Sequence, residues 1–180
     1  MNGTLNHNFI RTQSDMFESG LIAKIGPYGF TVWSVIKSHA NFNTGLCYPG
    51  IRSIAKKLKV SNSTIQRATK KLINHHMLRV VKPHGKAKGQ TYLARERIDI
   101  KVGNLVACTV VFDYIPLKIQ KNIDEFQKAL KENQKDALSL VEIIPGEGFE
   151  YDQDSGHFKK EVASDLIQKS AVQILKDLNQ

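Results

Sequence analysis

Two short amphipathic runs separated by a two-residue turn, Pro49–Leu58 and Ser61–His75, constrain this chain more than any other feature of its sequence. In the first run Ile51, Ile54, Ala55 and Leu58 recur at helical spacing and make one apolar stripe. Pro49 suits the opening turn of a helix, where its missing N–H has no intrahelical partner to lose. Lys59-Val60 makes the turn, and Ser61 stands as N-cap of the second run, its hydroxyl able to accept from a first-turn N–H. At 100° per residue, Ile65, Ala68 and Leu72 share one face of that run, whereas Asn62, Ser63, Gln66, Arg67, Lys70 and Asn74 share the opposite one. The pattern predicts two helices meeting across a tight turn, the second with an outer face of hydrogen-bonding and cationic side chains.

The flanking sequence completes an order of elements. Phe9 to Gln13 is a short extended candidate, and Ser14, Asp15 and Glu18 supply helix-start chemistry for a helix over 14–25. Gly26-Pro27 breaks the chain, after which Phe30, Trp33, Val35, Ile36 and Ala40 predict a core helix ending near Ala40. Asn41 to Tyr48 reads as a loop. Beyond His75, Leu78 to Lys82 is a strand candidate, Pro83 to Gln90 (PHGKAKGQ) a turn rich in Gly and Lys, and Thr91 to Arg95 a returning strand. Helix, helix and basic hairpin follow in sequence.

The stretch YPGIRSIAKKLKVSNSTIQRATKKLINHHMLRVVK, Tyr48 to Lys82, resembles a winged helix-turn-helix. It is similar to the DNA-binding domains of phage and plasmid replication proteins and, more loosely, to those of GntR-type regulators. The matching positions are Pro49, Ile51, Ile54 and Ala55, then Val60-Ser61 at the turn, then Thr64, Arg67, Leu72 and Leu78. The lead-in from Phe9 to Asn41 also resembles that of such phage and plasmid proteins, so the likeness spans roughly Phe9 to Arg97. Lys59 departs from it, occupying the turn position where such motifs often carry Gly. Residues 101 to 180 resemble no family.

Charge supports the same reading independently. Of 26 Lys and Arg and 17 Asp and Glu in 180 residues, residues 1–100 hold 16 and 4, a net of +12, and residues 101–180 hold 10 and 13, a net of −3. A basic first half suits a polyanion, and the acidic second half suits protein or solvent. Gln66 and Arg67 are of the types that read adenine and guanine bidentately and are the candidates for base contact. Ser61, Ser63 and Thr64, at the helix N-terminus, suit a phosphate oxygen or nearby base. Lys70, and Arg52, Lys56 and Lys57 on the preceding helix, suit the DNA backbone. Lys86 and Lys88, with His84, are the candidates on the wing, where Gly85 and Gly89 permit close approach.

Other constellations carry less. His75-His76 lacks Cys or carboxylate partners at ligand spacing and reads as histidines favoured by a helix C-terminus. The acidic residues from Glu142 to Asp154 do not match an EF-hand loop and read as a solvated hairpin. Neither a phosphate-binding loop nor a nucleophile triad stands out, so catalytic residues, metal and cofactor are all expected to be none. Cys47 and Cys108 read as small buried residues. No apolar run reaches the length of a membrane span, and the polar start lacks a signal-peptide layout, so a soluble cytoplasmic protein is expected. With 41% hydrophobic residues the chain has material for a core.

In the second half, Asn104 to Tyr114 is a β-branched strand, Leu117 to about Lys135 a helix, Leu138–Ile144, Gly148–Tyr151 and Phe158–Lys160 strands, and Val162–Leu178 a final amphipathic helix. On that last helix Ile167, Ala171, Ile174 and Leu178 either form a dimer seam or close the helix onto its own sheet. The expected fold class is α+β, with a winged helix-turn-helix on 9–97 and a self-association or partner-binding α+β domain on 101–180. The expected function is sequence-specific binding of double-stranded DNA in a phage or plasmid, in replication initiation. A transcriptional repressor using the same winged helix is the alternative, and a protein-interaction adaptor with an incidental basic surface is the alternative of another class. A homodimer and a replication or transcription protein are the further partners considered.

Overall fold

The computed structural model describes residues 10, 12–81, 90–102, 105–132, 141–152, 157–160 and 169–170. They fall into two compact units, 1–95 with 114–116, and 96–113 with 117–180.

In the first unit the order is α1 (Asp15–Glu18), α2 (Leu21–Ser38), β1 (Leu46–Cys47), α3 (Ile51–Leu58), α4 (Asn62–Asn74), β2 (Leu78–Val81) and the start of β3 (Thr91–Val102). The helix expected over 14–25 is divided: the chain leaves α1 through Gly20, at φ 75°, and residues 21–25 open α2 instead. The break expected at Gly26-Pro27 is present as a kink inside α2. Gly26 sits at φ 76° and ψ 168°, a region essentially closed to residues with a Cβ, and Pro27 starts the second run.

Helix α4 packs against α2 and α3, and their apolar stripes meet. Trp33, Ile36, Ile54, Ile65 and Leu72 are fully buried, each such side chain stabilising the fold by about 1.5–3 kcal/mol relative to its exposed state. β1 and β2 both pair antiparallel with β3, in the registers Cys47↔Tyr92 and Leu78↔Ala94. The Trp33 indole N–H donates to the Arg95 carbonyl at 3.2 Å, tying α2 to the end of this part of β3. Residues 114–116 return to the unit, the Tyr114 N–H donating to the Ala94 carbonyl at 2.8 Å. Lys37, 3% exposed, places its ammonium 4.1 Å from the centroids of both the Trp33 and the Tyr114 rings. Two electron-rich faces offset part of the cost of burying that charge.

The second unit begins within β3. That strand was expected to end at Arg95 but runs to Val102, because Ile98, Ile100 and Val102 alternate with Arg97, Asp99 and Lys101 at the strand period. Then follow β4 (Leu105–Asp113), α5 (Ile119–Lys131), β5 (Glu142–Pro145), β6 (Phe149–Asp152), β7 (His157–Lys160) and β8 (Lys169–Ser170). β4 pairs antiparallel with β5, Thr109 opposite Ile144. Ala107 to Phe112 are buried without alternation, as expected of a strand covered on both faces. From α5, Phe126 meets Phe112 edge to face at 5.4 Å. Asp99 accepts from Thr109 Oγ1 at 2.7 Å and from Arg97 Nε at 2.9 Å, satisfying a carboxylate whose side chain is only 4% exposed.

The helix expected over 162–178 is corrected where the structure describes it. Ser170 and Lys169 pair with His157 and Phe158 of β7, so these two residues are strand. β7 uses one edge for β6 and offers the unpaired N–H and C=O groups of the other, a demand that helical periodicity does not register. Ile167, Ala171, Ile174 and Leu178 lie outside the described residues.

Candidate nucleic-acid interface

The turn between α3 and α4 is built from backbone geometry. Lys59 takes φ 53° and ψ 42°, the left-handed region. The Val60 N–H donates to the Ala55 carbonyl at 3.1 Å and the Lys59 N–H to the Lys56 carbonyl at 3.4 Å, the paired bonds that close a helix through a left-handed residue. Ser61, extended at φ −70° and ψ 154°, then caps α4, its Oγ accepting from the Thr64 N–H at 3.2 Å. The Ser63 and Thr64 hydroxyls lie 2.8 and 2.9 Å from the same Oγ. Three candidate residues thus form one hydroxyl cluster at the helix N-terminus.

Along α4, Ile65, Ala68, Thr69 and Leu72 are buried, and Asn62, Ser63, Gln66, Arg67, Lys70 and Asn74 are exposed, as the spacing predicts. Gln66 and Arg67, 100° apart on the wheel, occupy different parts of the outer face. On α3, Arg52 and Lys56 are exposed and lie one helical turn apart. Lys57 is exposed too, but its Nζ lies 2.8 Å from His39 Nε2. His39 Nδ1 is 2.7 Å from the Val35 carbonyl, which can only accept, so Nδ1 carries the ring proton and Nε2 accepts from the ammonium. Lys57 is therefore held to the end of α2, leaving Arg52 and Lys56 as the α3 cations directed to solvent. Lys86 and Lys88 lie outside the described residues, as does His84; the strands that would carry them, β2 and β3, are paired from Val81↔Thr91 inward.

Sequence reasoning missed a cleft of about 310 Å³ between the α2 kink and α4. Ile25, Gly26, Pro27, Tyr28 and Gly29 line one side, and Thr64, Arg67, Ala68 and Lys71 the other. Arg67 and Thr64 thereby border both the outer face and the cleft. Lys71 and Tyr28, both exposed, Tyr28 by 54%, line this cleft and were not among the candidates read from the sequence. Lys71 had a signal, since it follows Arg67 by four residues and shares its flank of the helix. Tyr28 had none, because only packing brings the kink of α2 beside α4.

A capped helix with a polar and cationic outer face, set behind a shorter basic helix and followed by an antiparallel strand pair, defines a winged helix-turn-helix domain, a DNA-binding class of fold. Residues 23–76 match a family model described as a helix-turn-helix domain, which takes in all but the first two residues of α2, and α3, the turn and α4. No curated protein and no solved structure matches the chain. Among the described residues no helix is long and apolar enough to cross a membrane, and no group of three or more His, Cys, Asp or Glu is placed to hold a metal ion.

Proposed function

We propose that this protein binds double-stranded DNA sequence-specifically through α4 and acts, without covalent chemistry, in replication initiation of a phage or plasmid-type element in the cytoplasm. The observation that carries the DNA reading is the exposed face of α4: six polar or cationic side chains, Gln66 and Arg67 among them, opposite a buried apolar stripe. In this proposal Ser61, Ser63 and Thr64 meet a phosphate oxygen or nearby base, Arg52, Lys56 and Lys70 follow the backbone, and Lys86 and Lys88 are assigned a neighbouring groove or phosphate. The replication role is supported by the resemblance of Phe9–Arg97 to the DNA-binding domains of phage and plasmid replication proteins. Residues 101–180 serve self-association or recruitment of a replication protein.

Selection of bound duplexes from a random library by the full-length protein, at about 150 mM salt to suppress non-specific attraction, tests the reading. An enriched motif is the expected result. Closely spaced direct repeats of it in the parent element support an origin, whereas a single site across a promoter supports a repressor. A log–log salt dependence near −5 is expected for about six phosphate contacts, and a protein adaptor shows no duplex binding at all.

A further inference from the structure

The cleft beside α4 joins a largely apolar wall to an edge of two cations and two hydroxyls, Arg67, Lys71, Thr64 and Tyr28. Its buried lining residues are apolar, Ile25, Gly29 and Ala68, and its exposed ones include Arg67, Lys71 and Tyr28. Among the described residues no acidic side chain lines it, and the surrounding half of the chain carries a net charge of +12. Arg67 connects it without interruption to the outer face of α4.

We infer that this cleft receives the phosphodiester backbone of the DNA strand bordering the groove that α4 reads, with Lys71 supplying the charge and Tyr28 a hydroxyl donor to the same stretch of phosphates. The inference rests on the DNA reading above and extends it to two residues and a surface which that reading does not use. Charge complementarity selects a polyanion, and continuity with the helix face selects the backbone next to the read bases over a free anion. The kink at Gly26 lies on the wall of this cleft, which takes Ile25 from the run before it and Pro27, Tyr28 and Gly29 from the run after it. Contacts of this kind set affinity and register but carry no sequence information.

The test uses the full-length protein and a duplex that the wild type binds, with Lys71→Ala, Lys71→Gln and Tyr28→Phe compared by fluorescence anisotropy across a salt series. Both Lys71 variants are expected to weaken binding about 3- to 10-fold on specific and random duplexes alike, and to reduce the salt slope by about 0.9. Tyr28→Phe is expected to weaken it 2- to 3-fold with the slope unchanged, because a phenol releases no counterion. Lys71 is exposed, so an unchanged circular dichroism spectrum confirms that the fold is retained. Methylphosphonate linkages placed one at a time then locate the contact: the linkage that weakens the wild type should have no further effect on Lys71→Ala. Wild-type affinity and slope in the Lys71 variants would overturn the inference while leaving the DNA reading intact. Failure of the wild type to bind any duplex would overturn both.

Discussion

Lys59 holds a backbone conformation that glycine adopts freely and that costs other L-residues about 1–2 kcal/mol, and its side chain is exposed. Lys59→Gly should therefore stabilise the first unit by about 0.5–1 kcal/mol in urea unfolding; a loss of stability would show that the lysine stem packs in a way its exposure does not reveal. At Arg67 the question is which partner the guanidinium takes. Arg67→Ala should cost about 1–3 kcal/mol on the preferred site and relax selectivity at one base position. Because Arg67 also borders the cleft, an equal loss on every duplex would reassign it to the backbone. The two cysteines are buried, as their residue type suggested. Burial pushes the Cys47 thiol up to about 12 despite its contact with the Tyr92 carbonyl, and burial followed by the nearby Asp99 carboxylate pushes Cys108 up to about 12. Both should resist a thiol reagent at pH 8 until the chain unfolds. Between about pH 9 and 12 only the unfolded chain ionises these thiols, so stability present below pH 9 falls as pH rises; a melting temperature unchanged from pH 8 to 10.5 would contradict this.

At the scale of elements, α4 was visible in the sequence because its signals agree: a serine N-cap, an apolar stripe at helical spacing and no competing β-branched run. Ser61→Ala should remove the cap bond to Thr64 and lower stability by about 0.5–2 kcal/mol. The same change loosens the hydroxyl cluster with Ser63 and Thr64, so DNA affinity should drop by more than the loss of one phosphate contact alone implies. Helix α1 and the start of α2 were less visible, since nothing local announces that Gly20 takes a left-handed turn five residues into a helical pattern. β3 exceeded its expected length because the strand expected over Thr91–Arg95 stopped short of the Arg97–Val102 stretch, whose regular alternation carries it on. β8 lay beyond local reasoning altogether. A two-residue strand has no periodicity of its own, and its pairing with β7 is decided by which backbone groups that strand leaves open.

Over the whole molecule, contacts distant in sequence complete the first unit. Gly45, at φ 70°, lies where a Cβ would strike the Tyr114 carbonyl oxygen and crowd Leu93. Gly45→Ala should destabilise the unit by about 2 kcal/mol, since left-handed strain and the clash add. Trp33, the sole tryptophan, is buried beside Lys37 and the Tyr114 ring and gives a fluorescence signal for that unit in denaturant; an unaltered midpoint would mean that residues 114–116 are displaced without loss. By itself the sequence determined what depends on neighbours along the chain: the two helices and their turn, the face of α4 that meets solvent, the break at Gly26-Pro27 and the concentration of positive charge in the first hundred residues. Tertiary structure decided what depends on residues far apart in the chain: the burial of Lys37 between two aromatic rings, the capture of Lys57 by His39, and the meeting of the α2 kink with α4 that puts Tyr28 and Lys71 on one cleft. Periodicity and capping act over three or four residues and are written locally, whereas these contacts arise only when close packing of the apolar faces sets which surfaces lie side by side.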